Sequence, residues 1–420
     1  MPAWGSSAAA IGIVLVTACG SREPERREAV LPDSALPLPR NPSPALAVDT
    51  IAANLEVPWD VGFLPDGRIL ITERAGRIRV VEAGALRAEP WAAFEVEPWN
   101  PGLDREAGLM GLAVAPDFAQ SGAVYVQLTR WRGAGDGANR ATTRLWRKVA
   151  GAFDAETGFS LENRIVRLTD RDGRGIDPTV IVAGLVTGRF HAGGALGFGP
   201  DGMLYASVGD GIQPALAPRP DLPVGKILRF RPDGSIPADN PIPGSPVFAR
   251  GFRNSQAFDW LADGAMLAVD HGPTGMRQER LRVGQDELNL IRRGRDYGWP
   301  TATGWRLRDS LRFEAPIWVW QKGIAPAGMT VYDGSVAAWA GNVFVAGLKQ
   351  RLERLELEAS GGHWRVTGRE SLLEGQLGRI RAVRVGPDGS LYLTTSNRDN
   401  RGSARLHDDL LVRVRPLLNR

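Results

Sequence analysis

The chain has 420 residues, of which 43% are hydrophobic, 23% charged and 7% aromatic, too apolar and too weakly charged overall for a disordered protein. Its 51 basic and 47 acidic groups leave a formal net charge of +4 with no basic block, which argues against nucleic acid as a partner. Beyond the first two dozen residues no apolar run approaches the ~20 residues needed to cross a bilayer as a helix, and 51 glycines with 30 prolines suit short strands and turns better than helices.

Residues 8–16 form an apolar core of signal-peptide length, although no Lys or Arg precedes it. The core runs into Val16-Thr17-Ala18-Cys19, which looks like a lipobox: small residues before a cysteine that is lipidated and becomes the first mature residue. Cys19 is the one cysteine in the sequence, so disulfides and thiolate metal sites are excluded from the body. Gly20-Ser21, without aspartate, resembles lipoproteins sent on to the outer membrane, and residues 21–45 are rich in Pro, Arg and Glu. The expectation is a signal peptide over 1–19 with lipobox Cys19, a Pro-rich tether over 20–47 and a domain over 48–420. That domain is placed on the periplasmic side of a Gram-negative envelope, held to the membrane by the N-terminal lipid alone.

From Val48 onward a Pro-Asp-Gly turn or a variant precedes an alternating apolar strand. It occurs at Leu64-Pro65-Asp66-Gly67, Ala115-Pro116-Asp117-Phe118 and Gly199-Pro200-Asp201-Gly202. It returns at Leu261-Ala262-Asp263-Gly264, Trp339-Ala340-Gly341-Asn342 and Gly386-Pro387-Asp388-Gly389. Pro fixes one φ of such a turn and Gly tolerates the other. The strands alternate with period two, and no segment holds a helical period for long. Six units of about 60 residues each suit four-stranded blades with long loops. The predicted fold is all-β, a six-bladed β-propeller of four-stranded antiparallel blades; a two-sheet sandwich array is the alternative, and it would not need the repeat. In a propeller the inner strands and blade-connecting loops converge on a central channel, so functional residues should come from several blades.

His191 lies in the loop Arg189-Phe190-His191-Ala192-Gly193-Gly194 ahead of a strand, and Asp210 ends the following one in Val208-Gly209-Asp210-Gly211. A hairpin return brings Asp210 to His191, where it would fix the imidazole tautomer; read alone, Asp210 is also a turn-forming aspartate. Lys349 ends a strand, and Arg379 and Arg381 share one face if their segment is extended. Together these cations suit a polyanionic small molecule, or else a solvated sheet face. Asp286-Glu287 with Tyr297, and the turn Asp270-His271-Gly272-Pro273, offer carboxylates and freed carbonyls to a hard cation such as Ca²⁺.

The ordered set of motifs resembles the soluble PQQ-dependent glucose and aldose sugar dehydrogenases over roughly residues 53–414. It includes Val57-Pro58-Trp59-Asp60, Gly108-Leu109-Met110-Gly111, the His191 loop, Gly225-Lys226-Ile227-Leu228 and Gly251-Phe252-Arg253-Asn254. It continues through Asp270-His271-Gly272-Pro273, Asp286-Glu287-Leu288-Asn289-Leu290-Ile291, Asp296-Tyr297-Gly298-Trp299-Pro300 and Ile324-Ala325-Pro326. The resemblance implies oxidation of a sugar's C1 hydroxyl to a lactone, with PQQ and Ca²⁺ as cofactors and a quinone or cytochrome as the electron acceptor. It implies His191 as general base, Asp210 as its orienting partner and a substrate contact, and Arg253 over the quinone. Asn254, Lys349, Arg379 and Arg381 would bind the cofactor, and Glu106, where the glucose enzymes carry glutamine, would contact substrate or His191. The carbonyls of Gly272 and Pro273 would bind the Ca²⁺ that touches the cofactor, and Asp286, Glu287 and Tyr297 would help hold a second one. Ser255 stands in place of a proline, Gly323 in place of a hydroxyl residue, and the segment 274–285 is longer than in the glucose enzymes. Other readings of the same fold are a metal-dependent lactonase and a non-catalytic binding or scaffolding lipoprotein; the lactonase gives no joint role to Lys349, Arg379 and Arg381.

Overall fold

The computed structural model describes residues 36–96, 106–131, 161–276, 279, 283–305, 312–361 and 363–417. The predicted signal peptide, the lipobox with Cys19 and residues 20–35 of the predicted tether lie outside the described residues.

Six antiparallel sheets form the six-bladed propeller. The first strands of the blades are Pro58–Phe63, Leu109–Val114, Leu196–Phe198, Ser255–Trp260, Pro326–Val331 and Ile380–Val385, and each packs against its counterparts in the neighbouring blades, so these six line the channel. Five blades have four strands; in the first blade the outer strand is split into Ala85–Leu86 and Ala92–Ala93, both paired with Arg77–Glu82. The ring closes because Leu46–Ala52, at the start of the domain, pairs antiparallel with Leu411–Pro416 as the outermost strand of the last blade. Each blade buries alternate faces against its neighbours; Leu70, Ile78, Val124 and Val126, all fully buried, fill one such interface. Among the described residues the α-helical content is one turn, Phe118–Ser121.

The predicted turns connect first and second strands at the end of the channel away from the site described below. In four of them the aspartate closes the turn with its side chain: Asp66, Asp201, Asp263 and Asp388 each accept the N–H two residues on, at 3.0, 3.1, 3.0 and 3.0 Å. The glycines that follow have φ of 88°, 71°, 83° and 74°, a region costly for residues with a Cβ. Asp117 is followed by Phe118 instead of Gly, and there the chain enters the helical turn.

The described part of the predicted tether is held on the fifth blade. Pro37 accepts the Arg369 amide at 2.9 Å, and the Ser43 hydroxyl lies 2.7 Å from Glu370 and 3.1 Å from Trp339 Nε1.

Lys226 opens the strand Lys226–Phe230 and is fully buried. Its Nζ donates to the carbonyls of Ala217 and Val224, both at 2.6 Å, which pins the loop 211–225 that follows Asp210. Burial pushes its ammonium down to about 7, against about 10.4 in an unfolded chain. Between those values unfolding takes up a proton, so this group's contribution to stability rises with pH, by about 1.4 kcal/mol per pH unit within that window. The thermal midpoint of wild type relative to Lys226→Met, measured from pH 6 to 10, should therefore rise as pH rises above 7. Parallel curves would show that Lys226 does not titrate there.

Candidate active site

In an antiparallel blade the start of the first strand and the end of the second lie at the same end of the channel. The candidate residues follow that rule. His191, Arg253, Asn254, Gly323 and Arg379 precede first strands, and Arg381 sits near the start of one. Asp210, Asp270 and Lys349 lie at or just past the ends of second strands. Of these, His191, Arg253, Lys349, Arg379 and Arg381 line a cavity of about 310 Å³, and Asp210 reaches it through His191.

His191 has φ +53° and is 5% exposed. Its Nδ1 lies 2.6 Å from Asp210 Oδ1. A carboxylate there only accepts, so Nδ1 carries the proton and Nε2 is left as the basic nitrogen. Asp210 is itself fixed: Oδ1 also accepts the Ile212 amide at 2.9 Å and Oδ2 accepts Trp299 Nε1 at 2.8 Å. The loop must approach closely, since a Cβ on Gly209 would lie 2.1 Å from the His191 carbonyl oxygen.

Glu106 reaches the same loop. Its Oε2 accepts the His191 amide at 2.8 Å and Asn254 Nδ2 at 3.3 Å, while Oε1 accepts Arg401 Nη1 at 3.0 Å. Burial opposes its ionisation, yet electrostatic attraction to the His191 ring, Arg401 and the His271 ring, with the hydrogen bond from the His191 amide, holds the carboxyl well below the usual carboxylate range. Asn254 braces the loop from the other side, its Oδ1 accepting the Gly193 amide at 3.1 Å.

Among the described residues six cations border the cavity: Arg74, Arg253, Lys349, Arg379, Arg381 and Arg401. They are not equivalent. Lys349 Nζ donates to the carbonyls of Lys322 and Gly323, both at 3.0 Å. Arg379 is clamped on Asp399 Oδ2 through Nε and Nη2 at 3.0 and 2.8 Å. Arg381, 3% exposed, donates Nη1 to Gln256 at 2.8 Å and lies 5.7 Å over the Trp59 ring, and its buried Nε has no partner among the described residues. Burial pulls its guanidinium down to about 10, with Asp399 acting in the opposite direction. A pocket with this charge and a buried unpaired donor fits a planar tricarboxylate such as PQQ.

The predicted calcium residues are differently placed. Asp286 and Glu287 are neighbours on the strand Asp286–Ile291, so their side chains leave opposite faces. Asp286 accepts three amides, those of Gly272, Ile324 and Ala325, at 2.8, 2.6 and 2.7 Å. Glu287 accepts the Gly304 amide at 2.5 Å and Asn289 Nδ2 at 3.1 Å. The Tyr297 hydroxyl sits at the other end of the strand, donating to the Leu290 carbonyl at 2.6 Å and accepting the Arg292 amide at 2.8 Å. These side chains do not converge, and among the described residues no group of three or more His, Cys, Asp or Glu is placed to hold a metal. Of the expected set, Gly272 and Pro273 stand in the chain between the lining residues His271 and Thr274, and the Pro273 carbonyl accepts the Gly284 amide at 2.9 Å. The glycine at 323 has its own reason: with φ +64°, its Cβ would lie 2.9 Å from Asp286 Oδ2.

Several contributors escaped the sequence reading. Asp399 and Arg401 lie beyond the end of the second strand Leu391–Thr395, as Asp210 lies beyond Leu204–Val208, so blade position alone could have pointed to them. Trp299 sits in a motif already noted but without a role. Glu279, from the segment 274–285, pairs with Arg253 through Nε at 2.7 Å and Nη2 at 2.5 Å, and nothing in the local sequence marks it.

The profile of the glucose/sorbosone dehydrogenase family matches residues 55–411. The chain is similar to the aldose sugar dehydrogenase YliI of Escherichia coli, at 29% identity over 369 residues, 83% of this chain and 89% of that protein. Among solved structures, it is similar to an oxidoreductase (glucose dehydrogenase) of Thermus thermophilus, with 37% identity and TM-score 0.74 over 88% of this chain and 100% of that one. It is also similar to the PQQ-bound aldose sugar dehydrogenase of Streptomyces coelicolor, with 32% identity and TM-score 0.69 over 89% of this chain and 100% of that one.

Proposed function

The chain belongs to the glucose/sorbosone dehydrogenase family, and from that premise we propose that it oxidises the C1 hydroxyl of aldose sugars to lactones with PQQ as cofactor. The observation that carries this reading is the buried His191–Asp210 pair, 2.6 Å apart, on the rim of a cavity bordered by six cations. PQQ, when bound, supplies the quinone that accepts the hydride from C1 while the C1 hydroxyl gives up its proton. His191 Nε2 takes that proton, and Asp210 stabilises the imidazolium that results. Arg253, held on Glu279, presents positive charge to the cofactor end of the cavity. Arg381, with Lys349 and Arg379, binds the cofactor carboxylates, and Glu106 and Arg401 offer polar contacts to the sugar at the His191 side. Asn254 serves this site by holding the His191 loop.

Titrating the cofactor-free protein with PQQ tests the reading. Tryptophan quenching is expected, because Trp59 and Trp299 lie beside cavity arginines. Lack of any quenching or calorimetric signal would return the chain to a lactonase or scaffolding role.

Calcium belongs to the proposal as a ligand of the Gly272 and Pro273 carbonyls, hard oxygen donors suited to it. Exhaustive chelation is expected to weaken PQQ binding at least tenfold, and restoring Ca²⁺ to recover it. Equal affinity in both samples removes the metal from the account. We also propose that Cys19 carries the lipid that holds the domain to the outer membrane, with a quinone or cytochrome as acceptor. Labelled palmitate should enter the full chain and not its Cys19→Ser variant, and label in neither would refute the anchor.

A further inference from the structure

We propose that Glu279 is a positioning residue for Arg253, and that through it Thr274, Gly275 and Met276 are tied to the chemical step. This rests on the cofactor reading above for its catalytic consequence, though not for its geometry.

Both groups are buried, Glu279 at 4% exposure and Arg253 at 1%. The carboxylate is divided between two tasks. Oε1 takes Arg253 Nε at 2.7 Å and Nη2 at 2.5 Å, which fixes one edge of the planar guanidinium. Oε2 takes the amides of Thr274, Gly275 and Met276 at 2.7, 2.8 and 3.0 Å, a cradle of successive N–H groups. Thr274 adds a second hold, accepting Nη2 with its hydroxyl at 3.0 Å. Nη1 has no partner among the described residues, and Arg253 borders the cavity. The guanidinium is thus held through Nε and Nη2, and Nη1 is the nitrogen left for a ligand.

Charge points the same way. Arg253 shares the cavity wall with Arg74, Lys349, Arg379, Arg381 and Arg401, and a buried cation in such company needs a compensating anion. Asp210 accepts from the imidazole and Asp399 from Arg379. Glu279 is the carboxylate on Arg253. Without it the side chain keeps its charge and loses its orientation, and small misplacements of a group that acts on the reacting centre are costly.

The test is a double-mutant cycle on the full chain loaded with PQQ, with aldose as substrate and dye as acceptor. Glu279→Ala is expected to lower kcat by about 10- to 100-fold, with KM for the aldose within about threefold and PQQ still quenching tryptophan fluorescence. In the Arg253→Ala background the same substitution should cost nothing further, because the pair acts as one unit. Additive losses, or unchanged kcat in the single variant, would overturn the proposal, since a merely structural glutamate acts whichever residue stands at 253. Thr274→Val is the second variant, expected to lower kcat in the same sense by a few-fold; it supplies the same cycle if Glu279→Ala does not fold. A readout free of the cofactor separates the two claims. In the cofactor-free protein labelled with ¹⁵N-arginine, the buried Arg253 Nε–H should give a slowly exchanging resonance, absent from Arg253→Ala and lost or fast-exchanging in Glu279→Ala. If wild type binds no PQQ but shows this resonance, the cofactor reading fails while the pairing stands. If wild type turns over and the resonance is insensitive to Glu279, the positioning claim alone fails.

Discussion

Replacing His191 with alanine is expected to lower turnover by roughly 10²- to 10⁴-fold while leaving PQQ affinity within a few-fold of wild type. The size follows from what the side chain does. Its Nδ1 is committed to Asp210 at 2.6 Å, so Nε2 is the free base beside the cavity. In the proposed reading the cofactor is held by other groups, the cations contributed by the fifth and sixth blades. Asp210→Asn should lose turnover too, because an amide can present N–H to Nδ1 and stabilise the opposite tautomer. The backbone of the loop is anchored independently, through the His191 amide on Glu106 and Gly193 on Asn254, so neither change should unfold it. Stopped-flow measurement of hydride transfer at saturating aldose is the check. An alanine variant with wild-type turnover would remove His191 from the mechanism.

Arg381→Met should separate stability from binding. In wild type this guanidinium is buried, depressed to about 10 by that burial, and has an Nε without a partner among the described residues. A buried cation so weakly compensated is a cost to the empty fold and an asset to an anionic ligand. Methionine keeps the stem and removes the charge, so the cofactor-free variant should melt at or above the wild-type temperature. Its PQQ affinity should fall by about 10- to 100-fold, the loss of a charge-assisted bond of roughly 1.5–3 kcal/mol, and the thermal shift on adding PQQ should shrink with it. Arg379→Ala, the change that the paired-arginine pattern alone would single out first, is expected to cost less. Asp399 already occupies its Nε and Nη2. Calorimetric titration of the two variants ranks them, and equal affinities for wild type and Arg381→Met would show that this cation does not face the ligand.

The propeller was legible because its signal is repeated and local. Asp66, Asp201, Asp263 and Asp388 each close a turn with their own side chain, and each turn leads into a strand that alternates with period two. The His191–Asp210 pair was legible for a related reason: its two members sit on one hairpin, so their meeting needs only the strand return. Residues whose role depends on a partner far along the chain were not readable from residue types alone. Arg381 and Gln256 are 125 positions apart, and Arg401 and Glu106 are 295 apart. The expected calcium carboxylates show the converse limit. Asp286-Glu287 reads as a metal pair on paper, yet strand geometry sends the two side chains to opposite faces, and backbone amides take both. Glu279 had no signal of any kind, since a glutamate in an irregular loop is placed by the loop's own hydrogen bonds.

The most direct test of the central claim is dye-linked dehydrogenase activity of the chain against a panel of aldoses, with and without added PQQ. The account predicts reduction of the dye that requires PQQ, consumes aldose and yields the corresponding lactone in equal amount. Dye reduction that is indifferent to PQQ, or PQQ bound with no aldose oxidised across the panel, would contradict it.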